Sequence, residues 1–436
     1  MKKLFLTILL GCASLLAITA QTQSDSLANV DQLNLSLEDA KSMAIERNRT
    51  LMNASLDTKI AEANKWKAIS SMLLQVNGSL DYSNMLGYTM DFNGMPISMP
   101  PSGQVGVNAA FALSGAQVAS TQLAKISVDM ANINIAKTEQ DIVNQVRTLY
   151  YSALVSEQTI ELLEKNLESI KKLHGFAQKS ADVGVTEQVD ADQILVQVGT
   201  METTTSSSKR ALEMIMNSVK VLLNIPADAE LSLSDEIDDL LNVDTAMSLI
   251  NEEFIMDYNY AYQLLQKSTE LSKKQVLMSK WAFGPQLSVF YQYTGKKYFS
   301  DKKTLNMTPP NMMGVKLAIP IFSSGARLAG VKEAKVNYQK QLNTLSETEN
   351  NLSIQHKQLI YNLSSAYERY NGQVQNVDVT QRVFDNYSVK FEYGTASSMD
   401  VTTAGTNLIA AQTSYVQSLL EFVNAQIALE QLLNKQ

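Results

Sequence analysis

Two long stretches of this 436-residue sequence are almost free of proline, and no other feature limits its possible folds as strongly. Of the eight prolines, only Pro226 falls between residues 102 and 284, and none follows Pro320. Because proline interrupts helices, the sequence permits very long ones, and we predict four, over about 116–177, 187–224, 326–391 and 397–434. The first would be about 90 Å long at 1.5 Å per residue, which excludes an ordinary globular domain.

These long helices are predicted to pair as two hairpins, each turning at a glycine, Gly184 in the first and Gly394 in the second. Shorter helices are predicted over about 36–73 and 253–283. Apolar and small residues follow alternating steps of four and three, which is the spacing of helices that pack side by side. The two clearest stripes are Ile142, Val146, Leu149, Ala153, Ser156, Ile160, Leu163, Leu167, Ile170, His174 and Ala177, and Ala404, Leu408, Ala411, Tyr415, Ser418, Phe422, Ala425, Leu429 and Leu432. A plain soluble coiled coil would show the same stripes.

The two halves of the chain are related by a constant offset of 210 residues. The matching pairs are Gly184 with Gly394, Asp190 with Asp400, residues 114–117 (SGAQ) with 324–327 (SGAR), 124–125 (AK) with 334–335 (AK), and 222–224 (LLN) with 432–434 (LLN). This offset is far longer than the repeat of a solenoid, so it indicates a duplicated half. We therefore divide the chain into a first repeat over 35–224, a linker or equatorial segment over 225–252 and a second repeat over 253–434.

Four segments change to a period of two and are predicted as strands, over about 76–83, 104–113, 286–294 and 312–321. Their lengths suit strands that cross a bilayer at a tilt. In lipid an open sheet is excluded because its edge groups would lack partners. Closure would need two chains for about eight strands or three for about twelve, and small barrels are filled by side chains, so a conducting pore favours three. Half-buried hairpins on a soluble sheet would alternate in the same way.

The first twenty residues are predicted to be a secretory signal peptide, followed by an N-terminal segment over 21–34. Lys2 and Lys3 precede an apolar run, and Ala20 is a small residue at the cleavage point. Residues 9–12 (LLGC) also resemble a lipoprotein processing box, which would make Cys12 a lipidation site. The apolar run continues beyond Cys12, which favours ordinary cleavage after Ala20.

Composition argues against several classes of function. The net charge of −8 argues against nucleic acid as a partner. One cysteine and two histidines argue against a disulfide scaffold or a metal centre, and we expect no cofactor. His174 continues a packing stripe, and His356 is predicted to be solvated. The absence of any Gly-x-Gly argues against a phosphate-binding loop, so we expect no enzymatic activity.

The order and spacing of several short motifs resemble the TolC family of outer-membrane efflux proteins. These motifs are residues 35–40 (LSLEDA), 284–289 (GPQLSV) and 319–327 (IPIFSSGAR), and Tyr393-Gly394 followed by Met399, Asp400 and Val401. The resemblance implies a mainly α fold with a transmembrane β-barrel contribution, in which three chains form a 12-stranded barrel in outer-membrane lipid and an α-helical tunnel in the periplasm. It also implies passive export of drugs, toxins or proteins, driven by an inner-membrane pump that is joined through a periplasmic adaptor protein.

The same resemblance points to candidate site residues at the far ends of the hairpins. Asp400 matches an aspartate that lines the closed periplasmic aperture in the family, whereas Thr403 stands where a second aspartate is common. Asp190, its repeat equivalent, is expected to lie outside the lumen as a helix N-terminal acid, and the same role is open to Asp400. The expected adaptor contacts are the two tips, Val183, Gly184, Val185 and Thr186, and Tyr393, Gly394, Thr395 and Ala396.

Two other functions remain open at this level. A periplasmic adaptor would also be exported and rich in long hairpins, but it would carry β-rich modules at both ends of a single hairpin. An extracellular coiled-coil structural protein would lack the four alternating strands.

Overall fold

The computed structural model describes residues 32–92, 94–98, 100–300, 306 and 308–435. The predicted signal peptide and Cys12 lie outside these residues. Among the described residues, every helix is too short or too polar to span a bilayer.

Four very long helices dominate the fold. They are α3 (Gly115–Asp182) and α4 (Gln188–Leu222), which form the first hairpin, and α8 (Ala326–Glu392) and α9 (Ser398–Leu433), which form the second. The shorter helices are α1 (Leu37–Arg47), α2 (Arg49–Ser70), α5 (Ile237–Leu240), α6 (Val243–Ser248) and α7 (Tyr260–Trp281). The predicted duplicated hairpins are confirmed.

The prediction of one helix over 36–73 is wrong, because the chain turns at Asn48. The Asn48 backbone is extended, and its side-chain Oδ1 accepts hydrogen bonds from the amides of Thr50 and Leu51. Asparagine favours this N-cap position because its side chain satisfies amides that the helix leaves unpaired. The region therefore forms α1 and α2 in place of one helix.

The stripes predicted from heptad spacing form the packed interior. No residue of either stripe is exposed, and Ala153, Ala177, Phe422 and Leu429 are fully buried. The interior forms separate clusters along the rods, one that includes Tyr150 and Leu223 and one at the hairpin tips. The small residues in the stripes allow the helices to approach closely over their whole length.

A four-stranded antiparallel sheet caps one end of the helices. Its strands are β2 (Gln75–Ser83), β5 (Ser102–Ser114), β7 (Gln286–Tyr298) and β8 (Asn311–Ala318), hydrogen-bonded in that order. The strand β8 ends three residues before the predicted boundary, just before Ile319 and Pro320, and proline has no N–H to donate to a ladder. The four predicted strands are confirmed.

The register of this sheet separates polar from apolar side chains. Apolar rows cross the sheet at Val76–Ala109–Tyr291–Met313, Phe111–Val289–Val315 and Leu113–Leu287–Leu317. Rows with polar side chains cross it at Asn77–Asn108–Gln292–Met312 and Asp81–Gln104–Lys296. Because successive side chains point to opposite faces, the sheet has one apolar face and one polar face.

Among the described residues, two further pairs of short strands lie outside the four-stranded sheet, and the sequence pattern did not predict them. The short strands β1 (Gln32–Leu35) and β6 (Glu230–Leu233) pair in parallel, and β3 (Thr89–Phe92) pairs with β4 (Met95–Ser98) in the loop between β2 and β5. Asp235 fastens the first pair to α3, since its Oδ2 accepts from the Leu37 amide at 2.7 Å and from the Tyr150 hydroxyl at 2.9 Å. Burial and the bond to Asp235 raise the pKa of Tyr150, so its hydroxyl stays protonated as the donor.

Candidate functional site

The two hairpin turns lie at the end of the molecule opposite the sheet and have the same backbone geometry. Gly184 and Gly394 adopt φ of 76° and 68°, in the left-handed region that glycine tolerates. The amide of Val185 donates to Ser180 O, and the amide of Thr395 donates to Lys390 O, both at 2.8 Å. Each is the bond of a Schellman turn, which closes the end of a helix. The 210-residue repeat is therefore visible in the turn geometry.

Most of the predicted tip residues are exposed. Val183, Val185 and Tyr393 have 74%, 76% and 80% of their surface exposed. Gly184, Gly394 and Thr395 are also exposed, and Thr186 and Ala396 are half-buried. Large exposed apolar side chains at the end of a rod favour contact with another protein.

The structure joins the two tips through a contact that the sequence analysis missed. Ser398, which is 2% exposed, donates its hydroxyl to Asp190 Oδ1 at 2.5 Å and also lies 3.1 Å from Gln193 Oε1. The two hairpins also meet where the rings of Phe176 and Phe391 pack edge to face, with their centroids 6.0 Å apart. The 210-residue offset aligns Ser398 with Gln188, so the repeat itself gave no signal for this bond.

Asp400 completes the capping box of α9, whose N-cap residue is Ser397. Its Oδ2 accepts from the Ser397 amide at 2.9 Å and the Ser397 hydroxyl at 2.7 Å, and the Asp400 amide donates back to Ser397 Oγ at 3.2 Å. These bonds from the Ser397 backbone and side chain lower the pKa of Asp400, so its carboxylate is ionised at neutral pH. Both Asp400 and Thr403 are exposed and lie three residues apart on one face of the first helical turns.

The structure places Asp190 and Asp400 at the same end of the molecule but in different settings. Asp190 is half-buried and engaged by the neighbouring hairpin, whereas Asp400 is exposed. The helix-capping role considered for Asp400 is present. It leaves the side chain at the surface.

Neither histidine belongs to the exposed tips: His174 lies within the helix packing of α3, and His356 lies in α8. His174 is half-buried in its stripe. The prediction that His356 is solvated is wrong, because its ring stacks on Phe254 with centroids 5.2 Å apart. This burial lowers the pKa of His356, which favours the neutral ring. Phe254 belongs to the segment before α7, so the contact depends on the tertiary fold.

Comparisons with known proteins agree with this architecture. The family model for outer membrane efflux proteins matches residues 40–222 and 263–435. Two relatives are the probable efflux pump outer membrane protein TtgC of Pseudomonas putida, 22% identical over 67% of this chain, and the alkaline protease secretion protein AprF of Pseudomonas aeruginosa, 18% identical over 66%. Each alignment spans 60% of the relative's own length.

Solved structures share the fold at low identity. CusC superposes with a TM-score of 0.77 at 16% identity, covering 94% of this chain and 96% of CusC. VceC of Vibrio cholerae gives 0.74 at 14% identity, with 92% and 96% covered, and the open MtrE channel of Neisseria gonorrhoeae gives 0.74 at 14%, with 92% and 89% covered. The family model covers most of both repeats, which confirms the resemblance to this family and the predicted location in the cell outer membrane. This chain therefore belongs to the outer membrane efflux protein family.

Proposed function

We propose that this chain is the outer-membrane channel of a tripartite efflux or type I secretion system, a passive exit duct for small molecules or proteins. It acts as a homotrimer with a 12-stranded barrel and a periplasmic α-helical tunnel. Its partners are a periplasmic adaptor protein and an inner-membrane pump. The role needs neither a catalytic step nor a cofactor.

The observation that carries this proposal is the two-faced sheet with two free edges. Its apolar face suits lipid, and its polar face suits a water-filled lumen. Among the described strands, β2 and β8 each pair on one side only. Unpaired backbone groups in lipid each cost several kcal/mol, so the edges require strands from other copies. Three copies supply twelve strands. Two copies would supply only eight, and the interior of an eight-stranded barrel is filled by side chains.

The helices continue this arrangement below the sheet. The order β2, β5, β7, β8 is the order of α2, α3, α7 and α8, because each strand joins directly to one of these helices. Neighbouring helices in this order are in contact. A closed ring of strands would therefore continue as a ring of helices, which is the geometry of a tunnel.

The cargo and the partners are suggested by the relatives. One relative is named as an efflux pump component and another as a protease secretion protein, so both small molecules and proteins remain within the proposal. We place the aperture at Asp400 and Thr403, where three Asp400 carboxylates around the axis would favour cations, and the adaptor contacts at the exposed tips. The alternatives of an adaptor or a coiled-coil structural protein have no support in the family match.

The test is purification from outer membranes followed by electrophoresis with and without heating and by single-channel recording. We expect a trimer that dissociates on heating and conducts in planar bilayers without an energy source. A monomer in the soluble periplasmic fraction would overturn the proposal.

A further inference from the structure

The helical turns next to the sheet carry a charge opposite to that of the whole chain. Residues 59–70, 115–129, 270–281 and 326–340 contain eleven basic and four acidic side chains, a net charge of +7 in a chain whose total is −8. These segments are the last turns of α2 and α7 and the first turns of α3 and α8. The positive charge is thus concentrated where helices meet the sheet.

A groove of about 600 Å³ between α7 and α8 collects much of this charge. Four lysines line it: Lys273, Lys274, Lys280 and Lys335. Its apolar surface includes Leu277 and Tyr338. Lysine ammonium groups around an apolar floor match a ligand that carries both an anionic head and a hydrocarbon part.

These four lysines have no acidic partner within the part of the chain that the structure describes, since no carboxylate lies within 4.0 Å of their ammonium groups. The one acid of the groove, Glu270, lies 3.4 Å from Lys267, which also pairs with Asp129 of α3 at 3.4 Å. Counting Glu270 against the four lysines leaves the groove with a formal charge of +3.

The groove lies on the same side of the protein as the apolar face of the sheet. A cavity at the base of the sheet is lined by the polar-face residues Ser114 and Gln286, by Ala116 of α3 and by Trp281 at the end of α7. Lys125 follows Ala116 by nine residues, or two and a half helical turns, so it lies on the opposite side of α3. Asp129, one turn further, shares that side and pairs with Lys267 of α7.

The side of α7 that carries Lys267 also borders the groove. Lys274 lies seven residues after Lys267 and so on the same side of the helix. Ser272, Gln275 and Ser279 line a separate pocket on the other side of the α7 and α8 pair. The lysine groove therefore opens outward, below the apolar face, and the small polar residues face the polar side.

The height of the groove fits the headgroup layer of a membrane that surrounds the apolar face. Lys280 precedes the first residue of β7 by six positions, and Lys273 lies about 10 Å further along the helix. The exposed Trp66, near the end of α2, is an amphipathic side chain of the kind enriched at membrane interfaces.

We propose that this groove binds the headgroup phosphate of an anionic phospholipid in the helix-side leaflet, with the acyl chains running up along the apolar face of the sheet. This inference rests on the proposed placement of the sheet in a membrane. It adds a specific lipid contact for each subunit, in the cleft between two helices of one chain.

The test uses the full-length channel in detergent with equal amounts of phosphatidylglycerol and phosphatidylethanolamine, and counts retained lipids by native mass spectrometry. We expect preferential retention of phosphatidylglycerol. In the combined variant Lys273→Gln, Lys280→Gln and Lys335→Gln, the ratio of retained phosphatidylglycerol to phosphatidylethanolamine should fall by on the order of fivefold for each lysine removed. The matched control is Lys165→Gln, Lys172→Gln and Lys357→Gln, which removes the same charge from helix positions remote from the sheet.

Two outcomes would overturn the proposal: equal retention of both lipids by the unmodified channel, and equal loss of preference in the groove variant and the control. Displacement of phosphatidylglycerol by inorganic phosphate would also overturn it, since it would indicate a site for free phosphate. Conductance and the heat-dissociated trimer are measured on the same samples. Their loss in the unmodified protein would contradict the proposed function, whereas normal conductance without lipid preference would contradict only the lipid site.

Discussion

Asp400 has two roles: it completes the capping box of a helix, and it is the proposed charged residue of the channel aperture. Its carboxylate accepts two hydrogen bonds from Ser397 yet remains exposed. Thr403, on the next turn, contributes no charge. The aperture of this channel would therefore have one carboxylate ring, which predicts a weaker cation preference than two rings would give.

We expect Asp400→Asn to reduce the cation preference of the conducting trimer, because the amide keeps the size of the side chain but removes its charge. Reversal potentials in a salt gradient measure this. Asp57→Asn, an exposed substitution on α2, is the control and should leave selectivity unchanged. Equal selectivity in both variants and the unmodified channel would show that Asp400 does not face the pore.

The pH dependence of the same residue has a definite sign. The bonds from Ser397 lower the pKa of Asp400 in the folded chain. A carboxylate with a depressed pKa contributes stability above its unfolded pKa, and this contribution is lost as pH falls through the folded value. Both the cap and the cation preference should therefore persist at mildly acidic pH and fall only below the usual range for aspartate, about 4.

The hydroxyl of Ser398 is expected to hold the two hairpin tips together. Ser398→Ala removes a hydrogen bond from a buried hydroxyl to a carboxyl group, the kind that contributes about 1.5–3 kcal/mol, and leaves Asp190 without this donor. Amide hydrogen exchange in the first turns of α4 and α9 should become roughly tenfold faster or more. Ser414→Ala on α9, where the hydroxyl bonds only its own helix at Ala410 O, is the control and should exchange normally.

Among the elements, the central strands of the sheet separate the two proposed environments most clearly. Val289 lies on the apolar face and Gln292, three residues later in β7, lies on the polar face. The same added charge should therefore have opposite consequences at these positions.

We expect Val289→Arg to destabilise the folded channel by about 2–4 kcal/mol, since an arginine would face hydrocarbon. Gln292→Arg is the matched variant and should leave stability nearly unchanged while shifting selectivity toward anions. The temperature at which the trimer dissociates in electrophoresis measures the first effect, and reversal potentials measure the second. If both variants lost stability equally, the apolar face would not be facing lipid.

For the whole molecule, the question is how many copies close the sheet. If cleavage follows Ala20, the only cysteine of the sequence is removed. Any disulfide in a cysteine variant would then come from the engineered residues. Ser79 of β2 and positions 312, 314 and 316 of β8 lie on the polar face of the two edge strands.

We expect Ser79→Cys combined in turn with Met312→Cys, Gly314→Cys or Lys316→Cys to form a disulfide between neighbouring subunits in at least one pair. Oxidation should then produce a ring of three linked chains, seen as a trimer in denaturing gels without reductant. Single-cysteine variants are the controls. A product that stops at two linked chains would indicate closure by a dimer.

The long helices, the duplication and the four strands can be predicted from the sequence, because they depend on local rules. Proline is missing where the rods run, small and apolar residues recur at heptad spacing, and alternation marks the strands. The candidate residues Asp400 and Thr403 came from the resemblance of short motifs, and they stay a prediction of pore residues.

Which side chains meet across the two halves depends on the tertiary fold. The bond from Ser398 to Asp190 joins residues 208 apart in the sequence, Phe254 covers His356, and Asp235 fastens the linker to Tyr150. The lysine groove also depends on the tertiary fold, because β7 and β8 separate α7 from α8 in the sequence. Such contacts depend on how rods and strands are placed side by side, and local spacing in the sequence carries no information about that placement.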